Sequence, residues 1–197
     1  SEDIGSLLAI GVPDWRLMRL TELFAELLAQ KDLLMLDGLS EQAWIALQSS
    51  LPKIDSLCKQ LATYPIKDSL CQPDFQDNNM VVDEKTNRIT HIDLGEVVIS
   101  HPFFSLVGCL AQMHKHYQLT VKDADFIQIQ DACLKRFVSV DDEHKMDVLQ
   151  LARSLWPVYD ALSQYRLMKA CGRDLILQSQ PGRLTRSLQM LLENIRK

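Results

Sequence analysis

The sequence predicts a mainly helical protein with one small β-hairpin, an α+β fold class. Apolar residues recur at helical spacing through most of the 197 residues, whereas residues 66–93 have short apolar runs between turn residues. No evident linker follows residue 14, and the length suits one domain or one large lobe. We therefore expect a single lobe over residues 14–197, with residues 1–13 as a linker or hinge.

Two helices are predicted before the hairpin. Asp14 is a candidate N-cap for a helix over about 15–34, which Asp37-Gly38 would end. Ser40 is a candidate N-cap for a second helix that reaches about residue 62. Pro52 lies inside this second segment, where it predicts a kink or a boundary.

The hairpin is predicted from two runs rich in β-branched residues. They are Met80-Val81-Val82 and residues 89–92, and a polar turn over 83–88 joins them. A third extended piece is expected around Leu70. After residue 100 the spacing again predicts helices, at about 101–116, 122–138, 141–171 and 182–196, with Gly172 as a C-cap.

Composition and charge exclude several classes of function. The net charge is −5, the sequence pI is about 5.5, and no run of Lys and Arg occurs, which argues against nucleic-acid binding. No stretch of about 18 apolar residues predicts a membrane span, and no signal peptide is visible. The five cysteines are widely spaced without a C-x-x-C pair, which favours a reducing compartment and a cytoplasmic location.

Three polar residues around the hairpin suggest phosphoryl transfer. Asp74 and Asn79 have the spacing D-x-x-x-x-N, and Asp93 begins a D-x-G that ends at Gly95. In kinase-type transfer one Asp accepts the proton of the attacking hydroxyl, while an Asn and a second Asp hold Mg²⁺ on the nucleotide phosphates. The hairpin would return the chain so that Asp93 lies near Asn79, and Gly95 would allow a sharp turn there. On spacing alone, residues 74–79 are equally typical of a surface turn.

Segment 71–106 resembles the aminoglycoside phosphotransferase and choline kinase family of small-molecule kinases. The family's catalytic loop looks like H-G-D-F-H-x-x-N-I-L, and this chain has Q-P-D-F-Q-D-N-N-M-V over 72–81. The family's metal segment looks like I-D-W-G-D/E, and this chain has I-D-L-G-E over 92–96. Residues 100–106 look like the family's D-P-A-Y-D-L segment, where a helix starts. The resemblance implies the helical C-terminal lobe of a protein-kinase-like fold, with residues 70–96 as the catalytic loop and metal hairpin.

The resemblance also implies residue roles. Asp74 would be the catalytic base, and Asn79 and Asp93 would bind Mg²⁺ together with ATP or GTP. Glu96 would lie near the metal and the phosphates, or else be a solvent-facing charge. Met80 and Ile92 would form the floor of the adenine site, or else be core residues of the hairpin.

Two departures from the family pattern have different weight. Gln72 replaces the loop histidine, and its amide can make similar hydrogen bonds. The family's N-terminal β lobe, with its phosphate-covering loop and lysine, has no counterpart in the roughly 70 residues before Asp74, which predict helix. We therefore expect a C-terminal lobe whose N-terminal lobe is missing from this sequence and belongs to the same polypeptide, or a lobe without nucleotide-closing elements.

The function implied is Mg²⁺-dependent transfer of a nucleotide γ-phosphoryl group to a hydroxyl of a small molecule. The acceptor would bind between the catalytic loop and the helices after residue 101. Antibiotic, choline-like, sugar and amino-alcohol acceptors all remain open. The alternative hypothesis is a non-catalytic kinase-like module that binds a partner.

Overall fold

The computed structural model describes residues 4–195, and it is mainly helical with two short antiparallel strand pairs. This confirms the predicted α+β fold class. Among residues 4–195, no helix combines the length and the apolar content that a bilayer span requires. The helices are α1 (Ile4–Ala9), α2 (Leu17–Leu28), α3 (Lys31–Leu36), α4 (Glu41–Leu61), α5 (Phe103–Tyr117), α6 (Ala124–Leu134), α7 (Asp142–Cys171), α8 (Arg173–Ser179) and α9 (Arg183–Ile195). The strands are β1 (Ser69–Cys71), β2 (Met80–Asp83), β3 (Arg88–His91) and β4 (Val98–Ser100).

The chain forms two compact units. One contains the residues up to Asp14 together with Pro65–Leu149, and the other contains Trp15–Tyr64 together with the chain from Gln150 onward. The sequence predicted one lobe over 14–197, and that range is distributed over both units. Residues 4–9, within the predicted linker, form α1, while residues 1–3 lie outside the described residues.

The second unit is helical and is organised around α4. α4 packs against α2 and α9, and its buried apolar residues are Leu47, Ile54, Cys58 and Leu61. Ser40 caps α4 as predicted, because its Oγ accepts a hydrogen bond from the Ala43 amide at 3.2 Å. Pro52 lies within α4 and neither ends nor divides it.

The predicted helix over 15–34 is two helices, α2 and α3. At the break, the Trp44 indole of α4 donates a hydrogen bond to the Leu28 carbonyl at 2.9 Å. Leu28 ends α2, and its carbonyl would otherwise lack a partner within the helix. Asp14 does not cap α2, whose N-cap residue is Arg16. Instead, the chain at Pro13 and Asp14 runs beside β4, where the Pro13 carbonyl accepts from the Ile99 amide at 2.9 Å.

A buried aspartate joins the end of α3 to the start of α9 in the same unit. Asp37 is 5% exposed. Its Oδ1 accepts from the Gly182 amide at 2.9 Å and its Oδ2 from the Thr185 amide at 2.7 Å. The Asp37 carbonyl also accepts from the Thr185 hydroxyl at 3.0 Å. Asp37 therefore provides partners for amides at the N-terminus of α9, which no earlier helical turn can satisfy.

The first unit contains both strand pairs, α5 and α6. β1 pairs with β4, and β2 pairs with β3 in the predicted hairpin. The hairpin turn is stabilised by Asp83, whose carboxylate accepts from the Lys85 amide and the Thr86 hydroxyl. Every residue from Val81 to Gly95 is exposed. The apolar core of this unit lies instead around β4 and α5.

Candidate active site

The pairing of β1 with β4 brings together the two loops that carry the motif. Cys71, the last residue of β1, is opposite Val98, the first residue of β4. The 72–79 loop therefore starts beside the point where the 92–97 loop ends. The hairpin of β2 and β3 connects the two loops, so residues more than a dozen positions apart in sequence meet at this place.

Gln72 connects the two loops through its buried side chain. Its amide Nε2 donates to the Asp93 carbonyl at 2.5 Å. Its backbone N–H donates to the Ser105 hydroxyl at 3.1 Å, and that hydroxyl donates to the Gln72 carbonyl at 3.0 Å. The sequence analysis expected the Gln72 amide to support the loop in place of a histidine, and these hydrogen bonds agree with that expectation.

Asp74 and Asn79 are in direct contact. The Asn79 amide nitrogen donates to the Asp74 backbone carbonyl and to Asp74 Oδ2, both at 2.8 Å. Asp74 Oδ2 also accepts from the Gln76 amide at 2.8 Å. Two amides therefore orient the Asp74 carboxylate through one of its oxygens. Because the Asn79 amide nitrogen is used in this way, its oxygen is the atom that remains for another ligand.

Asp93 follows directly after the hairpin and is exposed. The Ile92 amide donates to the Asn79 carbonyl at 2.9 Å, which extends the hairpin pairing to the residue before Asp93. Asp93 has the left-handed backbone conformation, with φ 55° and ψ 60°. As expected, the chain turns at Gly95, which lies in a 3-10 turn over Leu94–Glu96. The positive φ in this segment is at Asp93 and not at Gly95, so the turn does not depend on the conformational freedom of glycine.

The other predicted nucleotide-site residues lie around this point. Glu96 is half-buried at the end of a short 3-10 helix over Leu94–Glu96. Met80 is half-buried at the start of β2. Ile92 is 44% exposed, so the alternative interpretation as a hairpin core residue is wrong for Ile92. The side chains that hydrogen-bond to Asp74 are those of Gln76 and Asn79.

Two polar contacts of the 72–79 loop were not predicted from the sequence. Gln76 stands at the second histidine of the family pattern, so its role could have been found from the motif. Tyr117, at the end of α5, donates a hydrogen bond to the Asp77 carboxylate. This bond lowers the pKa of Asp77 and raises the pKa of Tyr117. Forty positions separate the two residues, and no local pattern indicates the contact.

A cavity of about 470 Å³ opens beside the 72–79 loop. It lies between this loop, the start of β2 and facing stripes of α5 and α6. All of its lining residues belong to the first unit. They are Gln76, Asp77, Met80, Cys109, Gln112, Met113, Tyr117, Leu119, Asp125, Gln128 and Ile129. Met80 thus faces the space between the loop and the helices after residue 101.

The groups that could hold a metal ion are few. Within residues 4–195, no three His, Cys, Asp or Glu side chains cluster in a way that could hold a metal by themselves. The Asn79 side chain contacts Asp74, and its amide oxygen is a hard oxygen atom of the kind that Mg²⁺ binds. Mg²⁺ commonly takes one or two protein oxygens and completes its octahedron with phosphate and water.

Comparisons with protein-family models, with curated proteins and with solved structures give no significant match to this chain.

Proposed function

We propose that this chain carries the phosphotransfer site of a kinase-like small-molecule phosphotransferase, in its C-terminal lobe. The observation that supports this most is the contact between Asn79 and Asp74. It orients a carboxylate and, on the same side chain, leaves an amide oxygen for a cation. In a simple surface turn, the Asp and Asn side chains would form hydrogen bonds only within the turn. Here Gln72 also connects the loop to the Asp93 segment.

Asp74 would act as the general base. Its Oδ2 accepts the amides of Gln76 and Asn79, and its Oδ1 is the atom that would accept the proton of the attacking hydroxyl. The two amide contacts fix the orientation of the carboxylate. Phosphoryl transfer depends mainly on such positioning and on charge stabilisation, so an oriented base is the part that the protein must supply.

Asn79 and Asp93 would hold Mg²⁺, and Glu96 would lie close to it. The donor set fits, because both groups offer hard oxygens and the Asn79 nitrogen is already committed to Asp74. When bound, the ion would neutralise charge on the nucleotide phosphates. The hydrogen bond from Gln72 to the Asp93 carbonyl would keep the Asp93 carboxylate on the side of Asn79.

ATP or GTP would lie over the exposed hairpin, next to Ile92. The elements that would cover the nucleotide are proposed to belong to an N-terminal lobe of the same polypeptide. Two observations support this proposal. Residues 4–64 contain helices and no β-strand, and the apolar hairpin side chains Val81, Val82 and Ile89 are more than half exposed.

Thermal unfolding with Mg²⁺ and ATP tests the proposal. A ligand at 100 times its Kd stabilises by about 2.7 kcal/mol, which raises Tm by roughly 5–10 °C at this size. We expect Asp93→Asn to lose the Mg²⁺-dependent part of this shift. Asp74→Asn should keep the shift but lose about 10²–10⁴-fold in phosphoryl transfer. Asp131→Asn, an exposed change on α6, is the matched control and should behave like the wild type.

An equal shift in the wild type and in Asp93→Asn would contradict the proposed metal site. If no shift occurs in this chain, the measurement is repeated on a polypeptide extended upstream in the gene. Absence of a shift in both chains would favour the alternative function, a non-catalytic kinase-like module. The exposed apolar hairpin is the surface that such a module would offer to a partner.

A further inference from the structure

The cavity beside the 72–79 loop has apolar walls on three elements. Cys109 and Met113 face it from α5, Ile129 from α6 and Met80 from β2. Cys109 and Met113 are four positions apart and therefore lie on the same face of α5. A volume of about 470 Å³ is within the range of cavities that bind drug-sized molecules.

The polar groups of the cavity are few, and the acidic ones are already engaged. Of the described lining residues, Asp77 and Asp125 are acidic and none is basic. The Asp77 carboxylate accepts the Tyr117 hydroxyl, and Asp125 lies in the first turn of α6, where the helix dipole favours a negative charge. The two carboxylates are the charged groups of the described lining, and no positive charge is present there to bind an anion.

One lining group is a buried acceptor without a partner. Gln112 Oε1 accepts no hydrogen bond from the described residues. This oxygen is itself covered, so other atoms of Gln112 border the open space of the cavity. Gln76 also lines the cavity, and its amide is bonded to Asp74 Oδ2 at 2.8 Å.

We propose that this cavity binds an apolar, drug-sized alcohol that is neutral or carries a single positive charge. A hydroxyl of the ligand lies beside Gln76, next to Asp74. The assignment of this hydroxyl as the phosphoryl acceptor rests on the proposed function. The binding itself does not, because it depends on the cavity alone.

The test uses the neutral dye Nile red as a fluorescent reporter with the full 197-residue chain. We expect saturable 1:1 binding that weakens at least tenfold in Met113→Trp, which fills the cavity. Ile129→Trp is a second filling variant at a side chain that is 39% exposed, so that it tolerates the larger ring. Met18→Trp, at an exposed position of α2, is the control and should bind like the wild type. Circular dichroism checks that each variant is folded.

Displacement of the dye then defines the ligand class. Estradiol, a neutral apolar alcohol, should displace Nile red at concentrations at least tenfold lower than kanamycin, a polycationic amino sugar. Stronger displacement by kanamycin would overturn the inference. Unchanged dye binding in both filling variants, or no saturable binding of either apolar probe by the wild type, would also overturn it. Estradiol binding without a Mg²⁺–ATP shift would support the cavity inference and contradict only the proposed function.

Discussion

Aspartates make the main polar contacts in both units, but in very different surroundings. Asp37 is buried, and its two carboxylate oxygens each accept an amide of the α9 N-terminus. Asp74 is half-buried and receives two side-chain amides on one oxygen, while Asp93 is exposed. The first arrangement uses the carboxylate fully to join two helices. The second orients the Asp74 carboxylate through one oxygen and leaves the other oxygen available, as the proposed phosphotransfer site would require.

The strongest test of this difference is removal of the buried contact. Asp37→Ala leaves two amide donors of α9 without partners in a buried place, so we expect the free energy of unfolding to fall by about 2–4 kcal/mol. Urea denaturation measures this loss. Asp32→Ala, an exposed change in the first turn of α3, is the control and should cost about 0.5 kcal/mol or less. A loss below 1 kcal/mol for Asp37→Ala would show that water replaces the carboxylate.

The second test concerns pH and the core of the first unit. His101 is buried beside the rings of Phe103 and Phe104, and burial lowers its pKa to about 4. Its Nδ1 accepts the Phe103 amide at 3.4 Å, which also requires the neutral ring. Between the ordinary pKa of about 6.5 and pH 4, the unfolded chain binds a proton that the folded chain does not. Stability is therefore complete above pH 6.5 and decreases as the pH falls toward 4, by about 2–3 kcal/mol.

Chemical denaturation at a series of pH values measures this slope. His101→Phe should flatten it between pH 4 and 6.5, whatever its effect on stability at pH 7. His116→Phe, at an exposed position near the end of α5, should leave the slope unchanged. Equal slopes in all three proteins would mean that other groups, and not His101, cause the acid sensitivity.

The smallest effect on stability is expected at the contact between the two loops. Gln72→Ala removes the donor to the Asp93 carbonyl, and because Asp93 is exposed, water can replace it. We expect a loss of about 1 kcal/mol in unfolding free energy, together with a weaker Mg²⁺-dependent shift with ATP. Gln60→Ala, an exposed change on α4, is the control for both measurements. An unchanged Mg²⁺-dependent shift in Gln72→Ala would show that Gln72 does not position Asp93.

Local patterns predicted the parts of this fold that local forces determine. Ser40 and the apolar face of α4 were sufficient to predict that helix, and β-branched runs around a polar turn predicted the hairpin. The division between α2 and α3 was missed because the group that contacts Leu28 is Trp44, 16 positions away. β4 was also missed, because three residues carry too little periodicity, and the strand forms by pairing with β1.

The candidate site shows the same limit. The motif predicted that Asp74, Asn79 and Asp93 form the site, and that assignment stays a prediction. The hairpin brings the backbone at Asn79 and at Ile92, the residue before Asp93, together as expected. The cavity could not be predicted, because it needs α5 and α6 to face the 72–79 loop. The bond between Tyr117 and Asp77 depends on that same packing. The proposed roles of Glu96, Met80 and Ile92 stay predictions.

The left-handed backbone at Asp93 makes it possible to distinguish the residue that best suits the fold from the residue that best suits the proposed chemistry. In this conformation a residue with a Cβ is disfavoured, and glycine or asparagine would be accommodated more easily than most residues. A library of all substitutions at position 93, scored for the amount of folded protein, should therefore rank glycine and asparagine at or above aspartate. The same library scored for phosphoryl transfer should rank aspartate first. A divergence between the two rankings would mark Asp93 as a residue whose function comes at some expense of stability.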